Sequence, residues 1–114
     1  MALTSTLIDS ANTNKTLYTS TAVAPVLGNA ITTIIICNTS ASTTATFTLH
    51  AVPNAAGALG TAGASNMIIN AISIPPTETV SLDQEKLVLS HNDTLVAKAS
   101  VANILSATVS TLAV

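Results

Sequence analysis

Thr44-Ala45-Thr46-Phe47-Thr48-Leu49 alternates threonine with an apolar side chain at every step. Successive side chains of an extended backbone point to opposite faces, so Thr44, Thr46 and Thr48 line one side while Ala45, Phe47 and Leu49 line the other. A helix would scatter the same residues around its axis, and the spacing therefore predicts a half-buried β-strand. The scheme returns between Thr94 and Val101, with Leu95, Ala97, Ala99 and Val101 inward and Thr94, Val96, Lys98 and Ser100 largely outward. Leu105, Ala107 and Val109 continue it in the next run. Asn103 marks a turn between these two runs, which read together as a hairpin.

Working outward, runs rich in Ile, Val and Thr predict strands at 3–8, 15–19, 31–37, 67–74 and 77–82, with a short one at 87–89. Pro75-Pro76 divides two of them, because proline cannot donate to a sheet ladder. Helix competes only in the stretch from Asp83 to Leu89. Antiparallel sheets need a second layer over their apolar face. The expectation is thus an all-β fold, a single antiparallel β-sandwich or jelly roll of roughly eight strands. Residues 1–114 form one domain on this reading, in which 1–18 is either a pair of edge strands or an N-terminal arm. Two segments lack alternation: Thr19 to Asn29, with Pro25 and Gly28, and Pro53 to Asn66, which carries Gly57, Gly60 and Gly63. The second reads as a long mobile loop, either one that contacts another subunit or a plain surface loop.

Composition sets the function classes. Only 7% of the 114 residues are charged and 2% aromatic, against 48% hydrophobic, whereas soluble domains carry roughly 25% charged residues. The surface must be built mainly from Thr, Ser, Asn and Ala, which lack the usual electrostatic protection against association. Such a surface suits a protein covered by neighbours. Lys15, Lys86 and Lys98 are the whole basic complement and there is no Arg, so phosphate neutralisation has almost nothing to work with and direct nucleic-acid binding is not expected. No apolar run approaches the ~20 residues that span a bilayer, and the N-terminal residues lack a secretory pattern. Cytoplasmic synthesis without a membrane partner follows as the expectation.

The chemical candidates are few. Cys37 follows three isoleucines and reads as a small buried hydrophobe without a disulfide partner. His50 and His91 fall on different predicted elements without metal-ligand spacing. His91-Asn92-Asp93 reads as a turn. Asp83, Glu85 and Asp93 are acidic, but nothing in their spacing makes them converge on a cation. The glycines at 57, 60 and 63 are not followed by the Lys-Ser/Thr of a phosphate loop. Sequons at Asn14, Asn38 and Asn92 reflect the abundance of Asn, Ser and Thr. No enzyme, cofactor or metal is expected. A sugar platform would want exposed aromatic rings, and only Tyr18 and Phe47 exist.

The stretch from Ala30 to Pro53, AITTIIICNTSASTTATFTLHAVP, resembles the front half of small virion proteins of tailed bacteriophages. The later phrases Glu78 to Leu82, Leu87 to Leu89 and Asp93 to Ser100 share that resemblance, which covers most of the chain from Ala30 onward. It lies in strand patterning rather than in a catalytic motif. The resemblance implies a β-sandwich cement or decoration protein on the capsid surface of a virion, self-associating as a homotrimer with the major capsid protein as its partner. On that expectation Leu3, Leu7, Ile8, Leu17 and Tyr18 form an arm or edge that grips a neighbour, while Pro53 and Leu59 belong to a loop touching a second subunit. A tail, neck or fibre-associated subunit is the alternative within the virion, and a glycan or host-surface binding module is the alternative outside that class.

Overall fold

The computed structural model describes residues 2–82 and 87–114. Its strands are β1 (Ala2–Leu7), β2 (Lys15–Thr19), β3 (Asn29–Asn38), β4 (Ala45–Val52), β5 (Met67–Ile74), β6 (Thr79–Leu82), β7 (Leu87–Leu89), β8 (Thr94–Ala99) and β9 (Leu105–Ala113), with a single 3-10 turn at Ala64–Asn66. The expected all-β sandwich of roughly eight strands is present, with nine strands among the described residues. Within the stretch where helix competed, Leu87–Leu89 is strand, while residues 83–86 lie outside the described residues.

Two antiparallel sheets face each other. The first has the order β1-β9-β3-β6, with the short β7 beside β6 on the same strand β3, and the second has the order β2-β8-β4-β5. The pairings are nested: β1 with β9, β2 with β8, β3 with β6 and β7, and β4 with β5. A long antiparallel hairpin folded over on itself gives this order, which is that of a jelly roll. The nesting overturns the hairpin expected across Asn103, since β8 lies in the second sheet and β9 in the first. The chain does turn there, with Asn103 at φ 65°. Its N–H donates to Ile8 O at 2.9 Å and so guides the chain across to the other sheet.

The two inner faces make one core. Ile34, Ile36, Leu105, Ala107 and Val109 come from the first sheet, and Ala45, Phe47, Leu49, Leu95, Ala97 and Ala99 from the second. These are the inward positions predicted for β4, β8 and β9. Full burial of each large aliphatic or aromatic side chain stabilises by about 1.5–3 kcal/mol, so the alternation is the main thermodynamic reason for the fold. A bulge in β3 between Ile31 and Thr33 shifts the phase by one residue. It lets Ile31 and Ile34, three apart, both reach the core.

The N-terminal segment is a pair of sandwich strands. β1 and β2 are the edge strands of the two sheets, and the residues between and within them plug the core. Ile8 and Leu17, expected to contact a neighbour, are 0% and 3% exposed and belong to the interior. Tyr18 also packs against the core. Ile8 and Leu17 close the sandwich from within, while Tyr18 stays partly exposed.

Candidate functional site

The two outer faces differ. On the second sheet, His50 lies opposite Val96 and Val52 opposite Thr94, and all four are buried although they point away from the core. The segment 53–66 covers them. His50 Nδ1–H faces two acceptors, Gly63 O at 3.1 Å and Asn66 Oδ1 at 3.0 Å. Asn66 in turn accepts from Gly63 N–H at 3.0 Å and donates to Thr61 O at 3.0 Å. A Cβ on Gly60 would collide with Pro53 O and press on Val52 Cγ1, so glycine is what allows the loop to fold back this closely. The expected mobile loop is instead hydrogen-bonded to the sheet it covers. Pro53 and Leu59 remain exposed on its surface.

The other end of this loop is fixed by Asp93. Its Oδ1 accepts from Asn54 N–H at 2.7 Å and Asn54 Nδ2–H at 3.0 Å, and its Oδ2 accepts from Ser90 N–H at 2.8 Å. Asn92, at φ 64°, completes the turn and donates from Nδ2 to Gly57 O at 2.8 Å. Asp93 therefore organises a turn and a loop. Asp83 and Glu85, considered with it as acidic ligands, lie outside the described residues. Among the described residues no three His, Cys, Asp or Glu side chains gather in a way that could hold a metal ion. Two sequon asparagines are similarly committed to the fold. Asn92 is bonded as described, and Asn38, 1% exposed, donates to Thr43 O and Ile74 O at 2.9 Å each.

On the first sheet the outer face is bare. Cross-strand partners share a face, so the register places Leu7, Ser106, Cys37 and Thr79 in one outward row and Ser5, Thr108, Ile35 and Ser81 in the next. Leu3, Ser110 and Thr33 form a third row, and Leu112, Ala30 and Val88 a fourth. None of these side chains is charged. Leu3 at 73%, Val88 at 62% and Leu7 at 46% exposure are the most open of the larger ones, with Leu112 and Ile35 close behind. Leu27 and Val114, joined by Leu27 N–H to Val114 O at 2.7 Å, extend the apolar surface beyond the last row. Cys37 belongs to this face and is partly exposed, which corrects its expected burial: the β3 bulge sends Ile34 and Ile36 inward and Cys37 outward.

Of the residues expected to touch a neighbour, Leu3 and Leu7 therefore fall together on one face, Pro53 and Leu59 lie on the loop over the opposite face, Ile8 and Leu17 are buried in the core, and Tyr18 packs against the core while staying partly exposed. The contiguous Ser/Thr/Ile face of β3 and β9 was not anticipated. Its signal was the alternation itself, since the outward partners of Leu105, Ala107 and Val109 are Ser106, Thr108 and Ser110. An apolar cleft of about 380 Å³ opens between the sheets on the side away from β1, lined by Ile34, Leu49, Ile68, Ile69, Leu82 and Leu87. Among the described residues, its walls hold no group for acid–base or nucleophilic chemistry.

Fold and surface together define a jelly-roll domain with one face partly covered by its own loop and the other, among the described residues, an uncharged, partly apolar sheet. The chain matches no protein-family model and no curated protein sequence. No helix among the described residues is long and apolar enough to cross a membrane.

Proposed function

We infer that this chain is a non-enzymatic structural subunit of a bacteriophage particle that docks on the outside of the capsid and covers joints between capsid subunits. The observation that carries the reading is the uncharged outer face of the β1-β9-β3-β6 sheet, with Leu3, Leu7, Ile35, Val88 and Leu112 exposed on it. Contiguous exposed apolar area of this kind marks an interaction surface. Jelly rolls serve in capsids and in lectins, so the fold itself does not choose the partner. The phage assignment rests on the resemblance in strand phrasing, and the docking mode on the face.

The test is co-sedimentation with undecorated phage capsids. Wild-type protein is expected to saturate them at a fixed ratio, and Thr108→Lys, which puts a charge at the middle of the face without touching the core, is expected to lose binding while keeping its fold. Undiminished binding by Thr108→Lys would remove this face from the reading. A wild-type protein that ignores capsids but binds isolated tails or a glycan array would move the function to the corresponding alternative.

A further inference from the structure

Edge strands expose unpaired backbone groups, and proteins ordinarily blunt them with charge, proline, bulges or short length. Three of the edges here are blunted. β2 carries Lys15 and a register break between Thr16 and Tyr18. β5 has two register breaks, with Ala71 at φ 52°. Among the described residues, β6 and β7 have four and three residues and leave this edge stepped across two separate short strands. β1 has none of these devices. It pairs with β9 in unbroken register from Ala2 to Leu7, contains neither charge nor proline, and no described residue pairs with its other side.

Which groups β1 leaves open follows from alternation. Ile8 N–H donates to Leu105 O at 3.0 Å on the β9 side. The even-numbered residues of β1 therefore bond to β9, and Leu3, Ser5 and Leu7 turn their N–H and C=O groups to the free edge. The same three side chains lie on the outer face. The sequence there, Leu3-Thr4-Ser5-Thr6-Leu7, reads identically in both directions about Ser5.

We propose that β1 is a self-pairing edge, through which two copies of this chain join antiparallel about a two-fold axis at Ser5. In that register Leu3 faces the partner's Leu7, Ser5 faces the partner's Ser5, and Thr4 faces the partner's Thr6. Every residue that offers free backbone groups meets another that does, so each of the three pairs exchanges two hydrogen bonds. Outward side chains meet outward and inward meet inward, as a continuous sheet requires. Two Leu–Leu pairs form across the seam, and no like charges oppose each other. The interface is isologous, as a two-fold demands. It joins the two first sheets into one and doubles the bare face, and it does not depend on what that face docks against.

The experiment uses the full chain in a Cys37→Ser background, without capsids. Opposed residues of a hydrogen-bonded antiparallel pair have Cα atoms about 5.5 Å apart, inside the roughly 4.4–6.8 Å range of disulfides. Ser5→Cys is expected to give a disulfide-linked dimer on mild oxidation, whereas Thr6→Cys, opposite the partner's Thr4 and facing inward, stays uncrosslinked. Sedimentation velocity of the wild type is expected to show a concentration-dependent monomer–dimer equilibrium in the micromolar range. Ser5→Lys, with two ammonium groups opposed at the axis, is expected to weaken it at least about tenfold with an unchanged circular dichroism spectrum. A protein that is monomeric throughout, a trimer such as the resemblance implies, or equal crosslinking of Ser5→Cys and Thr6→Cys overturns the proposal.

Discussion

Asp93 shows how much of this fold hangs on single polar side chains. One carboxylate accepts three hydrogen bonds, two from Asn54 and one from Ser90 N–H, and the backbone beside it is bonded to Ser20 from both directions. Hydrogen bonds to a charged group contribute about 1.5–3 kcal/mol and do not add fully. Asp93→Ala is expected to lower the free energy of unfolding by about 2–3 kcal/mol, read as a shifted urea midpoint at constant slope. The sequence identified Asp93 as a turn residue, because Asn and Asp bond to nearby backbone. It did not reveal the link to Asn54, 39 residues away. His50 was legible as structural in the same limited sense: its position near a strand end was visible, and its bonds to the 53–66 segment were not.

Among the elements, the segment 53–66 departs most from its sequence reading. Glycine and alanine without alternation read as a free loop, yet a small hairpin forms within it. Ala55 and Ala58 exchange both backbone hydrogen bonds, at 2.8 and 3.0 Å, around Ala56 at φ 53° and Gly57 at φ 87°. Two successive positive φ values suit a type I′ turn, in which Asn-Gly is preferred. Ala56→Asn is therefore expected to stabilise the protein by about 0.5–1 kcal/mol, seen as a raised thermal midpoint without change in spectrum. β1 and β2 likewise were ambiguous between arm and strands, because an arm and an edge strand share the same alternation. Their inclusion in the core through Ile8 and Leu17 means that deleting residues 1–18 would remove two strands as well as any contact they make.

At the scale of the whole molecule, a slab with extents of 47 × 26 × 21 Å has one face partly covered by its own loop and the other, among the described residues, left uncharged. If docking uses the bare face, its affinity for capsids is expected to change less than about twofold between low and high salt, since screening acts on charges the contact lacks. Titration of capsids at two ionic strengths measures this; a steep loss at high salt would mean that Lys15, Lys98 or the acidic residues carry the contact instead. Cys37 supplies a second readout, since a thiol reagent should label it slowly in the free protein and more slowly still when the face is covered. The sequence by itself determined that most of the chain is strand, where most strands begin and end, and which side of β4, β8 and β9 is apolar, because a period of two is a local property of consecutive residues. Only the tertiary structure decided the nested strand order, the separation of β8 from β9, and which outer face stays open. Those depend on pairings such as Ala2 with Thr111 and on a loop folding back across its own sheet, and contacts between residues so far apart in the chain leave no periodic trace in it.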